Sequence, residues 1–374
     1  LDKVFGSPSR YIQGKDLLVR AGQYIEPHGK KLLVLADEQV QEICGNELVN
    51  GLKEDDFEIT NVTFNGECSF KEIERVASIG QENGVDAILG VGTGKALDTA
   101  KAVAAELDVS MLIFNTLASS DAPTSGLSVI YTEDGEVEKY QFYDKNPDLV
   151  MNDTRIIAQG PERMLASGMA DALATLVEAR ATSQANGDNM LDGKATIAGY
   201  AIAEKCEEIL FQYGLQAYAA NKEQRVTPAL EAVVEANTLL SGLGFENGGI
   251  AGAHAIHNGL AAIQGDIHEM THGEKVAYGI VAQMILENKP AKELDRYIGF
   301  MLQLDLPITK KAIHLDQVSE EELKKAAELA VDPDDTMSNM PFEVTADEVV
   351  EALHAVDVYV NDYKKRYQLD QGTS

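Results

Sequence analysis

The stretch AILGVGTGKALDTAKAVAAEL, residues 87–107, constrains the fold more than any other part of the chain. An apolar run from Ala87 to Val91 enters a turn containing Gly90, Gly92 and Gly94, and a helix pattern rich in Ala, Leu and Lys follows. A helix start reached through glycines presents free N–H groups and the positive end of the helix dipole to an anion. Two familiar phosphate-loop patterns do not fit. A Walker loop needs Gly where Leu89 stands and Ser or Thr where Ala96 stands, and the G-x-G-x-x-G fingerprint fails at Lys95. The segment therefore reads either as an unconventional phosphate-binding turn or as a tight strand–helix turn with no ligand. Lys95 beside Gly94 favours the first.

The surrounding pattern extends this unit into a domain. Strand signals at 30–37, 57–67, 85–91 and 109–116 alternate with helical spacing at 70–84 and after the glycine turn. This alternation predicts a parallel sheet with helices on both faces. Residues 127–143 break it: Asp134-Gly135 between alternating runs predicts a β-hairpin, and 147–153 predicts one more strand. From Gly160-Pro161 onward helical patterns dominate, at 162–182, 190–213, 228–242, 249–263, 272–288, 291–303 and 320–330. Thr345 and Glu348 have capping-box spacing before a last helix, and the polar tail from about 363 is expected to fray. The expected architecture is a Rossmann-like α/β domain over 1–160 and an all-α domain over 161–374, with no internal repeat.

Composition narrows the function. The net charge of −30, from 61 acidic and 31 basic residues, would repel nucleic acid and anionic lipid. No run of roughly 18 apolar residues predicts a membrane span, and LDKVFGSPSRYIQG lacks the apolar core of a signal sequence. Cys44, Cys68 and Cys206 are widely spaced, odd in number and without a zinc pattern, which fits a reducing cytoplasm. Any metal must then be held by His, Asp or Glu.

Four of the seven histidines fall in HAIHNGLAAIQGDIHEMTH, residues 254–272. His254 and His257 share a helix face, and His268 and His272 have the same relation at a spacing of four. A single His is usually a surface or hydrogen-bonded core residue, whereas converging imidazoles more often hold a metal. Two His and one carboxylate suffice for a catalytic zinc. Asp171, inside the Ala-rich helix pattern GMADALATL, is the preferred carboxylate, because an Asp there is costly unless paired. Glu178 and Glu246 are weaker candidates. The loop NTLASSDAPTSG, 115–126, follows a strand end, where open α/β sheets bind ligands.

Taken together, GTGKALDTAKA (92–102), LASSDAPTSGLSVIYTEDGE (117–136), GMADALAT (168–175), SGLGFENGG (241–249), AHAIHNGL (253–260) and HGEKVAYG (272–279) resemble the iron-containing alcohol dehydrogenase superfamily, and within it the zinc-dependent glycerol dehydrogenases. The resemblance spans essentially the whole chain and implies a dehydroquinate synthase-like fold. It implies one Zn²⁺ per subunit on Asp171, His254 and His272, with His257 in a supporting role. It implies NAD held by Asp37 at the adenosine ribose, by Gly92, Gly94 and Lys95 at the pyrophosphate, and by Thr116, Ser125, Leu127 and Val129 along the cofactor cleft, with Thr93, Asp98 and Ser119 as further cofactor-binding residues. Asp121 would bind a substrate hydroxyl, Tyr140 and Phe245 would shape the pocket, and the subunits would assemble as a homo-oligomer, an octamer in related proteins. Two departures stand out. Thr93 replaces the middle glycine of the family's GGG, and Thr175 stands where iron-type members place a His four residues after the ligand Asp.

The implied activity is reversible oxidation of glycerol, or a similar vicinal diol, to the hydroxyketone. Asp171, His254, His272 and Asp121 would form the catalytic group. A same-fold dehydrogenase for another small alcohol or hydroxyketone is the alternative. A 3-dehydroquinate synthase-type lyase needs a basic cluster for its phosphorylated, carboxylated substrate, and Lys275 is the one basic residue in 241–275. A non-catalytic sugar- or metal-binding protein would not need both an intact ligand trio and an intact Gly94-Lys95 turn.

Overall fold

The computed structural model describes residues 2–135 and 137–368. The chain forms two compact units that are each discontinuous in sequence. One unit takes Gly6–Leu165 and recruits Ala219–Gly242, a segment that a single cut at residue 160 would leave with the helices. The other holds Ala166–Tyr218, the chain from Leu243 onward, and the N-terminal residues through Phe5. The N-terminal residues join it by backbone bonds, Val4 N–H to the Lys194 carbonyl (3.2 Å) and Lys194 N–H to the Asp2 carbonyl (2.9 Å).

The first unit is built on β1 (Tyr11–Gly14), β2 (Lys31–Ala36), β3 (Glu58–Thr63), β4 (Ala87–Gly92), β5 (Ser110–Asn115) and β8 (Leu149–Asp153). All pairings are parallel, in the order β1-β8-β5-β4-β2-β3. Strand order reverses between β2 and β4, so the carboxyl ends of these strands flank the switch point where such sheets take ligands. The sequence KLLVLA lacks alternation because both faces of β2 are buried. Leu32, Val34 and Ala36 pack with Leu48 and Leu52 of the helix Asn46–Glu54. Leu33 and Leu35 pack on the opposite face with Val76 of the helix Phe70–Asn83 and Val103 of the helix Gly94–Leu107. Each fully buried aliphatic side chain here contributes about 1.5–3 kcal/mol of transfer free energy.

The expected hairpin is present as antiparallel β6 (Leu127–Tyr131) and β7 (Val137–Phe142). The edge strand β1 was not legible, since four residues at a sheet edge carry no period. The helix expected at 190–213 begins instead at Ile197. Asn189 forms a turn before it, accepting from Leu191 N–H (3.0 Å) and Gly193 N–H (3.2 Å). The expectation of fraying from 363 is corrected by the helix Ala346–Arg366, whose last residue forks onto Asp295 at 2.7 and 2.8 Å. The rest of that expected tail, from residue 369, lies outside the described residues. No described helix is long and apolar enough to cross a membrane.

In the helical unit, helices cross at glycines. The helix Gly252–Ala261 approaches the helix Glu320–Ala330 so closely that a Cβ on Gly259 would collide with the Ala326 carbonyl. A Cβ on Gly279, in the helix His272–Leu286, would lie 2.5 Å from the Ala253 carbonyl oxygen. These contacts explain the glycines of AHAIHNGL and HGEKVAYG as seats for close-packed backbones. Gly279→Ala is therefore expected to cost about 1–3 kcal/mol by overpacking. Gly51→Ala, in an exposed helix position with nothing within 4 Å of the added methyl, should instead stabilise by about 0.5–1 kcal/mol. Thermal unfolding of both variants checks the contrast, and equal shifts would contradict it.

Candidate functional site

Asp171 sits midway along the helix Glu162–Gln184, its carboxylate fully buried. Its Oδ1 lies 3.0 Å from His272 Nε2 and 3.5 Å from His254 Nε2. The three ligand atoms all lie within 4.8 Å of one another. A tetrahedral ion with ligand bonds of about 2.0–2.1 Å holds its donors about 3.3–3.4 Å apart, and the two carboxylate–imidazole separations of 3.0 and 3.5 Å bracket that spacing. Two imidazole nitrogens and one carboxylate oxygen suit a borderline divalent ion. The His272 side chain is 40 % exposed, whereas that of His254 is 14 % exposed and that of Asp171 fully buried.

Glu178, two helical turns after Asp171, supplies what the trio lacks. Its Oε2 accepts from His254 Nδ1 at 2.6 Å, and His254 Nε2 faces Asp171 on the other side of the ring. Its Oε1 accepts from the backbone N–H groups of Ala251 and His254, both at 2.9 Å. Ala251 offers no side-chain cap to the helix Gly252–Ala261, so Glu178 satisfies that helix start from outside. One carboxylate thus caps the helix and orients the His254 ring. Sequence reading took Glu178 for a lesser metal candidate. The signal for its actual place was two carboxylates seven residues apart in an Ala-rich helix, hence on one face.

His272 opens its own helix. Thr271 and Glu274 form a capping box around it, Thr271 Oγ1 donates to Ser167 Oγ (2.8 Å), and Gly273 lets the backbone press against the Ser167 carbonyl. His257 lies beside the trio, its ring centroid 4.4 Å from that of His272. Its Nδ1 donates to Asn258 Oδ1 (3.1 Å), and Asn258 in turn donates to Asp335 (3.1 Å), so Nε2 is the acceptor. His268 is exposed and outside the trio, and Glu246 is buried outside it. Thr175 is buried, with Gly244 so close that a Cβ there would collide with its methyl group.

Charge follows this arrangement. Burial opposes ionisation of Asp171, but His272 and His254 overcome it and hold the carboxyl well below the usual carboxylate range. Burial also opposes protonation of His254, and Glu178 with Asp171 reverse that, raising it well above its ordinary value. His257 has no such compensation: burial, His272, Lys275 and His254 all keep it neutral.

In the sheet unit, the expected cofactor residues gather at the carboxyl ends of β2, β4 and β5. Asp37 follows β2 and caps the next turn through Val40 N–H (2.8 Å). Gly92 ends β4 opposite Asn115 of β5, and Thr116 N–H donates to the Gly92 carbonyl (3.0 Å). Thr93 is the N-cap of the helix Gly94–Leu107 but makes no side-chain cap bond. Gly94 has φ +41°, with nothing within 4 Å of where a side chain would begin, so the helix start is approachable. Lys95 lies over the Tyr131 ring and pairs with Glu67 at 2.6 Å.

The loop from Thr116 to Val129 is clamped. Asn237 Nδ2 donates to the Ala118 carbonyl (2.9 Å), Thr124 Oγ1 to the Thr238 carbonyl (3.3 Å) and Ser241 Oγ to Asp121 Oδ2 (2.7 Å). These three contacts come from a π-helical turn, Ala236–Leu240, and the residue after it. Ser119 is half-buried, Ser125 and Leu127 are buried, and Val129 pairs with Tyr140, which lies on the exposed face of β7. Asp98, grouped with the cofactor residues from sequence, is instead buried against Lys101. Burial raises its pKa, and Lys101 opposes that rise. Phe245 is buried in the helix Ser241–Gly248.

Residues 8–154 match the family model for iron-containing alcohol dehydrogenases. The chain is 44% identical to a glycolaldehyde reductase of Halobacterium salinarum, over 96% of this chain and 98% of that one. It is 42% identical to a glycerol dehydrogenase of Escherichia coli, over 98% and 100%. Its fold superposes on the crystal structure of glycerol dehydrogenase from Schizosaccharomyces pombe with a TM-score of 0.95 at 40% identity, covering 100% of this chain and 94% of that one. With family, full-length relatives and fold in agreement, the chain is an alcohol oxidoreductase and belongs to the iron-containing alcohol dehydrogenase family.

Proposed function

We propose that this enzyme oxidises glycerol, or a closely similar vicinal diol, to the hydroxyketone with NAD⁺ and a zinc ion. The observation that carries the reading is the buried carboxylate of Asp171 with two imidazole Nε2 atoms turned to it at 3.0 and 3.5 Å. Thr175 in place of an additional imidazole favours a three-ligand zinc over a four-ligand iron. When bound, the metal supplies a Lewis acid that lowers the pKa of an alcohol, and the nicotinamide supplies the hydride acceptor.

The chain's own residues supply position. Asp171, His254 and His272 hold the metal, and Glu178 holds His254. The Asp121 carboxylate, steadied by Ser241 at 2.7 Å, accepts a hydrogen bond from the diol's second hydroxyl. His257 Nε2, neutral and unprotonated, is placed to accept a proton near the trio. The turn Gly92–Lys95 offers its backbone N–H groups to the pyrophosphate, with Lys95 as the neighbouring cation. Asp37 binds the adenosine ribose and opposes the extra phosphate of NADP. Ser119, Ser125, Leu127 and Val129 line the nicotinamide side, and Tyr140 and Phe245 shape the substrate pocket. Three buried free thiols suit a reducing cytoplasm, and family resemblance supports a homo-oligomer, an octamer.

A second reading is favoured by the 44% identity to a glycolaldehyde reductase. In it the physiological direction is reduction of a small hydroxyaldehyde to its diol. The two readings share one requirement, a reacting carbon next to a second oxygen.

Asp171→Ala and His272→Ala are expected to lose bound zinc by elemental analysis and to lose turnover with it. Glu178→Gln should keep the fold and weaken zinc affinity about 10–100-fold. Full zinc content and full activity in either ligand variant would sink the assignment. For the cofactor, Asp37→Ser leaves an oxygen for the Val40 amide and should cut the NAD-over-NADP ratio of kcat/KM about tenfold. An unchanged ratio would remove Asp37 from the ribose.

A further inference from the structure

Lys101 is fully buried in the second turn of the helix Gly94–Leu107. An ammonium there is costly unless paired and hydrogen-bonded. Its ion-pair partner is Asp98, one turn earlier, at 3.4 Å. Its other bonds all go to one stretch of chain: the Ala122 carbonyl at 2.5 Å, the Leu127 carbonyl at 3.0 Å and Ser125 Oγ at 3.4 Å. Asp98 reaches the same stretch from the other side. Its Oδ2 accepts from Val129 N–H (3.1 Å), and its backbone carbonyl accepts from Ser128 Oγ (2.8 Å).

Two residues one helical turn apart therefore make five hydrogen bonds to residues 122–129. That stretch begins directly after Asp121 and contains Ser125, Leu127 and Val129. An apolar pair of similar volume would fill the space at no loss of stability, because a buried ion pair roughly balances its desolvation. An apolar pair would not grip carbonyls and an amide in fixed directions.

We propose that Lys101, together with Asp98, is a positioning residue that sets the conformation of residues 121–129. It acts through that backbone on Asp121 and on the groups facing the cofactor. The helix whose first turn takes the pyrophosphate thus also fixes, from its second turn, the segment that takes the diol and the nicotinamide. Lys95 and Lys101 divide the work of one helix: the first faces the ligand, the second the loop. This inference rests on the dehydrogenase reading for its functional consequence, and on hydrogen bonds alone for its structural one.

The test is the double variant Asp98→Asn/Lys101→Met, which removes both charges and leaves neither buried charge unpaired. Lys101→Met alone strands the Asp98 carboxylate and is expected to fold poorly. In the double variant, amides at 122–129 should exchange hydrogen at least about tenfold faster, with those of β4 and β5 unchanged. Zinc content should equal that of the parent, while KM for both NAD⁺ and the diol rises at least about tenfold. Ser128→Ala, which removes one strut and no charge, should give a smaller rise in exchange at Val129 and serves if the double variant does not fold. Parental exchange at 122–129 in the variant that folds would overturn the proposal, as would faster exchange with unchanged KM values. Parent enzyme that transfers hydride from no diol would sink the dehydrogenase reading instead, and the exchange result would still decide the positioning role.

Discussion

A buried carboxylate is the constraint around which the helical unit is arranged. Asp171 sits in a helix whose neighbouring positions are Ala, Leu and Met, where ionisation is costly without cationic or metal partners. Those partners come from two helix beginnings, His254 near the start of Gly252–Ala261 and His272 as the first residue of His272–Leu286. Each start has its own device. Glu178 caps the first from outside, and the Thr271–Glu274 box caps the second. Gly273, against the Ser167 carbonyl, and Gly279, against the Ala253 carbonyl, then let the three helices that carry Asp171, His254 and His272 approach closely. Ligand, cap and crossing are parts of one arrangement.

The sheet unit solves a different problem, holding an irregular loop still. Residues 116–129 include Thr116, Ser119, Asp121 and Ser125 of the polar groups assigned to cofactor and substrate, yet they form only a short 3₁₀ turn before β6. Rigidity comes from side chains on both sides. Lys101 and Asp98 grip the loop from the helix that begins at Gly94, and Asn237, the Thr238 carbonyl and Ser241 hold it from a π-helical turn and the residue after it. Such turns recur inside α-helices at functional sites. Here Asn237, Thr238 and Ser241 all meet the loop.

The parts of this arrangement that sequence discloses are those with a period or a distinctive residue. β2, β4 and β5 were legible as apolar runs, the hairpin by Asp134-Gly135, and the last helix by Thr345 and Glu348. Asp171, His254 and His272 were legible because charge in an Ala-rich helix and clustered histidines are rare. The strand Tyr11–Gly14 was not, because four half-buried edge residues match no template. Glu178, Lys101 and Ser241 were missed as positioning groups for a physical reason. Each acts through a partner distant in sequence, and only the fold supplies that partner. Asp98 was grouped with the cofactor residues by its place in GTGKALDTAKA. Helical geometry turns it inward to Lys101 instead.

The central claim is that one metal centre built on Asp171 serves a substrate bearing two adjacent oxygens. Its most direct test is NADH formation by the zinc-loaded, chelated and zinc-restored protein, comparing 1,2-propanediol with 1-propanol. The account predicts activity that disappears on chelation, returns with zinc, and strongly favours the vicinal diol. Equal rates on the two alcohols, or a rate on the diol that survives removal of the metal, would contradict it.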